Sequence, residues 1–293
     1  HRLISYLHHH QDHVLTSFVG DPPSKCKLAL FCDASFAGDL EDSKSTSGGV
    51  LCLVGPNTFA IISWMCKKQG AVSHSSSEAE IISLETTLRM EALPALELWD
   101  TIIDVFEPKA PLPFAKENRL YSHTPDNLIC QVDGPANAFD VDWIPTNTKA
   151  SPHRTQLLIL EDNEAVIKMA IKGRSMLMRH ISRTHRIDLS WLFERLLKDP
   201  VIRIKYVNTK DQLADILTKG SFSVSTWKTL LTLIQMAPYH GSKLSNKPAK
   251  APKQAKTNKQ TKHFPCVVTK PIISCAYSGS VLASLLRARQ LAD

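Results

Sequence analysis

Four acidic residues drawn from distant parts of the chain, Asp33, Glu78, Asp162 and Asp215, are the positions best suited to chemistry. Asp33 and Asp162 each close a short apolar run, 28–32 and 155–161. A carboxylate at the C-terminal end of a strand opens onto the crevice where α/β sheets bind ligands. Glu78 opens an expected helix, and Asp215 lies in the first turns of another. Gathered without partners, four carboxylates would repel and raise one another's pKa values. Divalent cations remove that conflict. Hard oxygen ligands suit Mg²⁺, which keeps several waters and commonly binds substrate phosphates. Two such ions about 3.5–4 Å apart activate a water and stabilise the leaving oxygen of a phosphodiester.

Each residue also has a simpler use. Asp33 fits a turn, Glu78 the acidic half of a capping box begun by Ser75, and Asp162 a helix N-cap. Asp215 fits an i,i+4 pair with Lys219. Only the ordered set carries the metal reading.

The elements that must position these residues follow from periodicity. Residues 1–19 have a loosely helical apolar spacing, with His8, His9, His10 and His13 read as a polar face rather than a metal site. Three closely spaced strands are expected at 28–33, 48–54 and 59–65, an antiparallel meander. A helical stripe of Ile81, Leu84, Leu88, Ala92, Leu96 and Trp99 spans 75–99, kinked or restarted at Pro94. Residues 107–154 hold seven of the seventeen prolines and read as an irregular insertion. A strand at 155–161, a helix at 163–172, a longer helix at 182–197 and an alternating strand at 201–207 come next. Helices at 210–219 and 222–236 close the ordered part.

Residues 242–262 carry seven lysines and no acid, a disordered basic tail. Residues 263–293 add one apolar patch at 281–286.

The net charge of +7 and pI near 9.0 favour a polyanionic partner. Seven cysteines, at 26, 32, 52, 66, 130, 266 and 275, form no Cys-x-x-Cys pair. That argues against a zinc knuckle or disulfide framework and fits a reducing compartment. No apolar run approaches the ~20 residues that span a membrane, so no membrane partner is expected. A chain that begins with His rather than Met reads as a fragment or processed piece.

The motifs Asp33-Ala34-Ser35-Phe36-Ala37-Gly38-Asp39, Ser45-Thr46-Ser47-Gly48-Gly49, Ile62-Ser63-Trp64-Met65-Cys66-Lys67-Lys68-Gln69 and Ser75-Ser76-Ser77-Glu78-Ala79-Glu80 appear in that order. Glu161-Asp162-Asn163-Glu164-Ala165, Arg186-Ile187-Asp188, Tyr206-Val207 and Asp211-Gln212-Leu213-Ala214-Asp215-Ile216-Leu217-Thr218-Lys219 complete the series. Together they resemble the ribonuclease H (RNase H) domain of copia-type LTR retrotransposon Pol polyproteins, over about 28–219 without 107–154. The resemblance implies metal-dependent cleavage of the RNA strand of RNA–DNA hybrids, with Mg²⁺ or Mn²⁺, two ions held by Asp33, Glu78, Asp162 and Asp215. The mobile histidine that cellular relatives carry before the last aspartate has no counterpart in Asn208-Thr209-Lys210. His185 and Asp188 match a His/Asp-containing helix and are assigned to structure or substrate contact. No Tyr-x-Asp-Asp polymerase motif is present.

The implied fold is α/β and RNase H-like: a mixed five-stranded sheet, three strands antiparallel and two added in parallel, flanked by helices. The implied layout is 1–22 as the end of a reverse transcriptase or connection region, 23–236 as the RNase H-like domain, and 237–293 as basic tail and C-terminal segment. Implied partners are an RNA–DNA hybrid and the reverse transcriptase portion of the same polyprotein. The implied setting is intracellular, in cytoplasmic virus-like particles and the nucleus. Lys44, Lys67 and Lys68 are the expected phosphate contacts, and the tail lysines would add salt-dependent affinity. Two alternatives are a catalytically inactive, retrotransposon-derived nucleic-acid-binding remnant and an RNase H-fold nuclease acting on DNA.

Overall fold

Alternation along the central strand determines how this chain is layered. In the computed structural model, which describes residues 1–39, 41–111, 153–173, 178 and 180–239, residues 28–34 of that strand are buried between two helical layers. The expected basic tail, the apolar patch at 281–286 and most of the 107–154 insertion lie outside the described residues.

The chain opens with helix α1 (Arg2–His9) and two short strands, β1 (His13–Leu15) and β2 (Phe18–Val19). The meander β3 (Lys27–Ser35), β4 (Thr46–Gly55) and β5 (Thr58–Lys68) follows. Next come helix α2 (Ser76–Thr87), a π-helical turn (Leu88–Ala92) and α3 (Leu93–Phe106). After the insertion come β6 (Leu157–Glu161), α4 (Glu164–Lys172), α5 (Ile181–Thr184), α6 (Leu189–Lys198) and β7 (Ile202–Tyr206). Helices α7 (Asp215–Thr218) and α8 (Val224–Leu233) and strand β8 (Met236–Pro238) complete the described chain.

The main sheet has six strands in the order β2-β5-β4-β3-β6-β7. β3, β4 and β5 pair antiparallel, and β6 and β7 add in parallel, as expected. The sixth strand is β2, whose Phe18 and Val19 pair with Phe59 and Thr58 at the edge of β5. β1 pairs with β8 in a separate two-stranded sheet. The expected helix over 1–19 is therefore helical only through His9, because Val14, Leu15, Phe18 and Val19 satisfy their backbone in ladders instead.

Leu28, Leu30 and Cys32 of β3 face one core, shared with Ile81, Leu84 and Leu88, with Val166 of α4 and with Leu192 and Leu196 of α6. Ala29 and Phe31 face the other, shared with Leu213, Ala214, and Leu230 and Leu233 of α8. Burying both faces explains the continuous apolar runs of β3 and β6.

Other departures have local causes. Pro94 has no N–H to donate, and the helix widens into the π turn just before it. The expected helix 182–197 is broken into α5 and α6. Arg186 adopts φ 57° and the Asp188 side chain accepts from Trp191 N–H, restarting the helix. The expected helix 210–219 is a 3₁₀ turn (Thr209–Asp211) followed by the short α7.

The insertion leaves and rejoins the fold at one place. The Arg154 guanidinium donates to the carbonyls of Glu107, Pro108 and Ala110, and the Arg154 and Thr155 N–H groups donate to Asp100.

Candidate metal centre

β3 and β6 run parallel and side by side, so their C-terminal ends open at the same edge. Asp33 lies near the end of β3 and Asp162 directly follows β6. Asn163 takes the N-cap of α4, accepting from Ala165 N–H, which leaves the Asp162 side chain free of that duty. Asp162 Oδ2 instead accepts from the Thr209 hydroxyl at 2.8 Å.

Asp215 opens α7, which crosses the sheet edge beside β4 and β3. That close approach depends on Gly48, the partner of Asp33 in the ladder. A Cβ there would sit 2.4 Å from Thr218 Cγ2 and 3.4 Å from the Ala214 carbonyl. Gly48 thus lets α7 reach the sheet, while Gly49 makes room for Thr87 of α2 on the other face.

One carboxylate oxygen from each of Asp33, Asp162 and Asp215 lies within 4.8 Å of the others. Thr218 donates to Asp33, and Lys219 Nζ pairs with Asp215 Oδ2. Asp215 therefore has its i,i+4 lysine and its place in the cluster together. Burial raises the Asp33 carboxyl above its usual range, with the Asp162 charge adding to it against Thr218 and Lys219. Burial likewise pushes Asp215 up to about 6, helped by Asp33 and Asp162 and opposed by Lys219.

Glu78 is not part of this cluster. Residues two apart on a helix project about 200° apart, so Glu78 and Glu80 cannot face the same site. Glu80 is the one turned toward the aspartates. It is buried, and after desolvation its pKa is raised chiefly by the charges of Glu161, Asp33 and Asp162. Glu161 is fully buried beside the Cys32 thiol and is raised in the same direction, by burial first. Glu80 Oε2 and Asp215 Oδ1 are buried without a hydrogen-bond partner.

The capping-box spacing that drew attention to Glu78 serves the helix start. Ser75 Oγ accepts from Glu78 N–H, and Glu78 Oε2 accepts from His74 N–H. Helical phase, counted from the buried stripe, is the signal that distinguishes the two glutamates.

The expected phosphate contacts are placed unevenly. Lys68 pairs with Asp39 at 2.5 Å and Asp42 at 3.0 Å, and Lys44 pairs with Asp42 at 3.2 Å. These pairs hold the Asp39 carboxyl below its usual range. Lys67 is exposed on β5. His185 packs beside Glu78, and Asp188 caps α6. The described cysteines, Cys26, Cys32, Cys52 and Cys66, are free thiols.

No protein-family model matches the chain, and no solved structure does. The chain is similar to the secreted RxLR effector protein 161 of Plasmopara viticola, 43% identical over 58 residues. That stretch is 20% of this chain and 38% of the effector. No helix among the described residues is long and apolar enough to cross a membrane.

Proposed function

We propose that the chain is an RNase H-like domain that cleaves the RNA strand of an RNA–DNA hybrid, in a copia-type retrotransposon polyprotein. One observation carries the reading: three aspartates from β3, the end of β6 and α7 converge within 4.8 Å. The mixed sheet, with helices on both faces, is the scaffold such a reading requires.

The residues fit a hard divalent cation. The donors are all carboxylate oxygens, which suit Mg²⁺ or Mn²⁺ over softer metals. Two of those oxygens, on Glu80 and Asp215, are buried and unsatisfied. Asp33, Asp162 and Asp215 would hold the metal, with Glu80 rather than Glu78 beside them. When bound, the metal supplies a water of lowered pKa and charge stabilisation for the leaving oxygen.

The chain's own residues orient this set. Thr218 fixes Asp33, Thr209 fixes Asp162, and Lys219 fixes Asp215. Lys67 and Lys210, both exposed, and the half-exposed Lys219 supply positive charge for phosphates. Lys44 and Lys68 instead stiffen the loop between β3 and β4 through Asp39 and Asp42. A hybrid would be read by shape, phosphates and 2′-hydroxyls rather than by sequence.

The test is strand-specific cleavage of labelled hybrid, single-stranded RNA, duplex RNA and duplex DNA, each with Mg²⁺ or EDTA. The reading expects loss of RNA from the hybrid alone, and only with metal. Cleavage of duplex DNA in preference would replace it with a DNA nuclease. Binding of hybrid without any cleavage would replace it with an inactive remnant.

A further inference from the structure

The cleavage site leaves Glu78 unused, yet Glu78 is buried and surrounded by imidazoles. Its Oε1 lies 3.2 Å from His180 Nε2 and 3.3 Å from His185 Nε2. Its Oε2 is held by the His74 N–H at 3.1 Å, which fixes the direction of Oε1. The His74 ring sits edge-on to that of His180, with centroids 5.1 Å apart. One ligand atom from each of His74, Glu78 and His180 lies within 4.8 Å of the other two.

An ion pair alone does not account for this cluster. One shared proton satisfies one imidazole against one carboxylate. The His185 side chain is 1% exposed and sits 3.3 Å from Glu78 Oε1 and beside the Val72 backbone, without a well-aligned hydrogen bond from either ring nitrogen. A buried cluster held this loosely calls for a better-placed partner.

Metal geometry supplies one. Tetrahedral zinc with bonds of about 2.0–2.2 Å sets its ligand atoms about 3.3–3.5 Å apart. The 3.2 Å separation from Glu78 Oε1 to His180 Nε2 is close to such an edge. His74 is exposed and free to close the remaining distance, and its exposure with that of His180 leaves the site open to solvent.

We propose that His74, Glu78 and His180 form a Zn²⁺ site, separate from the aspartate cluster, with His185 packed against the same carboxylate oxygen. Two imidazoles and one carboxylate would supply three protein ligands and leave the fourth tetrahedral position to solvent. The site ties the segment carrying α5 to the start of α2, joining residues 102 positions apart in sequence. The His74 N–H held by Glu78 Oε2 is the outer contact that orients the carboxylate.

The test strips the full chain with EDTA, dialyses it against micromolar Zn²⁺ and counts bound metal by mass spectrometry. His74→Ala/His180→Ala is the comparison, because both residues are at least partly exposed and Glu78 and His185 stay in place. The wild type should hold one more equivalent than this variant. Zinc bound at His8, His9, His10, His13 or Cys66 is common to both and cancels. Cobalt gives an independent reading: the wild type should add an intense tetrahedral Co²⁺ spectrum without a sulfur charge-transfer band. Equal zinc in wild type and double variant, or only the weak octahedral cobalt spectrum, would overturn the site.

Discussion

Single side chains divide the work at the start of α2. Glu80 points to the aspartates and Glu78 points to the histidines, so exchanging either for its amide gives opposite results. Glu80→Gln should lower hybrid cleavage by about 10³-fold, since a metal-bound charge is worth several kcal/mol in the transition state. Glu78→Gln should leave the rate within about threefold, a change worth less than one kcal/mol of barrier. Steady-state cleavage rates of the two variants check this. The sequence brought out Asp33, Asp162 and Asp215 because strand ends and the short closing motif are visible in apolar patterning. Which glutamate faces the aspartates is not legible there, because two acids two residues apart look alike until helical phase is fixed by the buried stripe.

Asp215 also makes stability depend on pH. Its folded value of about 6 lies above the ordinary 3.8. The folded state therefore keeps this proton longer than the unfolded chain, and stability falls as pH rises between those values. Asp215→Asn removes that slope. In EDTA, its unfolding free energy relative to wild type should rise between about pH 4 and about pH 7. Denaturant titrations at the two pH values measure it; a falling difference would contradict the burial argument.

At the scale of elements, contacts between chain segments explain both what the sequence revealed and what it hid. The five long strands were legible because each is apolar on at least one face. β2 was not, since two exposed residues carry no period and exist as a strand only through the edge of β5. The break between α5 and α6 rests on Asp188, whose capping role competes with a continuous apolar spacing. Asp188→Ala should cost about 1 kcal/mol by thermal or denaturant unfolding. Gly48 is the tighter constraint, because Thr218 and the α7 backbone stand where a side chain would go. Gly48→Ala should lower stability by about 1–3 kcal/mol. It should also slow cleavage, because α7 carries both Asp215 and Thr218.

Across the whole molecule, the parallel strands β3 and β6 set the site, although the insertion separates them in sequence. Arg154 gathers the carbonyls of Glu107, Pro108 and Ala110, so the two ends of that insertion are held together within the described residues. Replacing residues 112–152 with a short Gly/Ser linker should retain one cooperative unfolding transition. The midpoint should rise slightly, since each halving of loop length returns about 0.6 kcal/mol. Loss of cooperativity in calorimetry would mean that the insertion supports the sheet.

The measurement that bears most directly on the account is Mg²⁺-dependent cleavage of a labelled RNA–DNA hybrid by the wild type and by Asp33→Asn, with binding of the same hybrid followed in parallel. The wild type should degrade the RNA strand, EDTA should stop it, and Asp33→Asn should bind the hybrid without cutting. Cleavage that survives Asp33→Asn, or a wild type that binds hybrid and never cuts it, would contradict a catalytic role for the aspartate cluster.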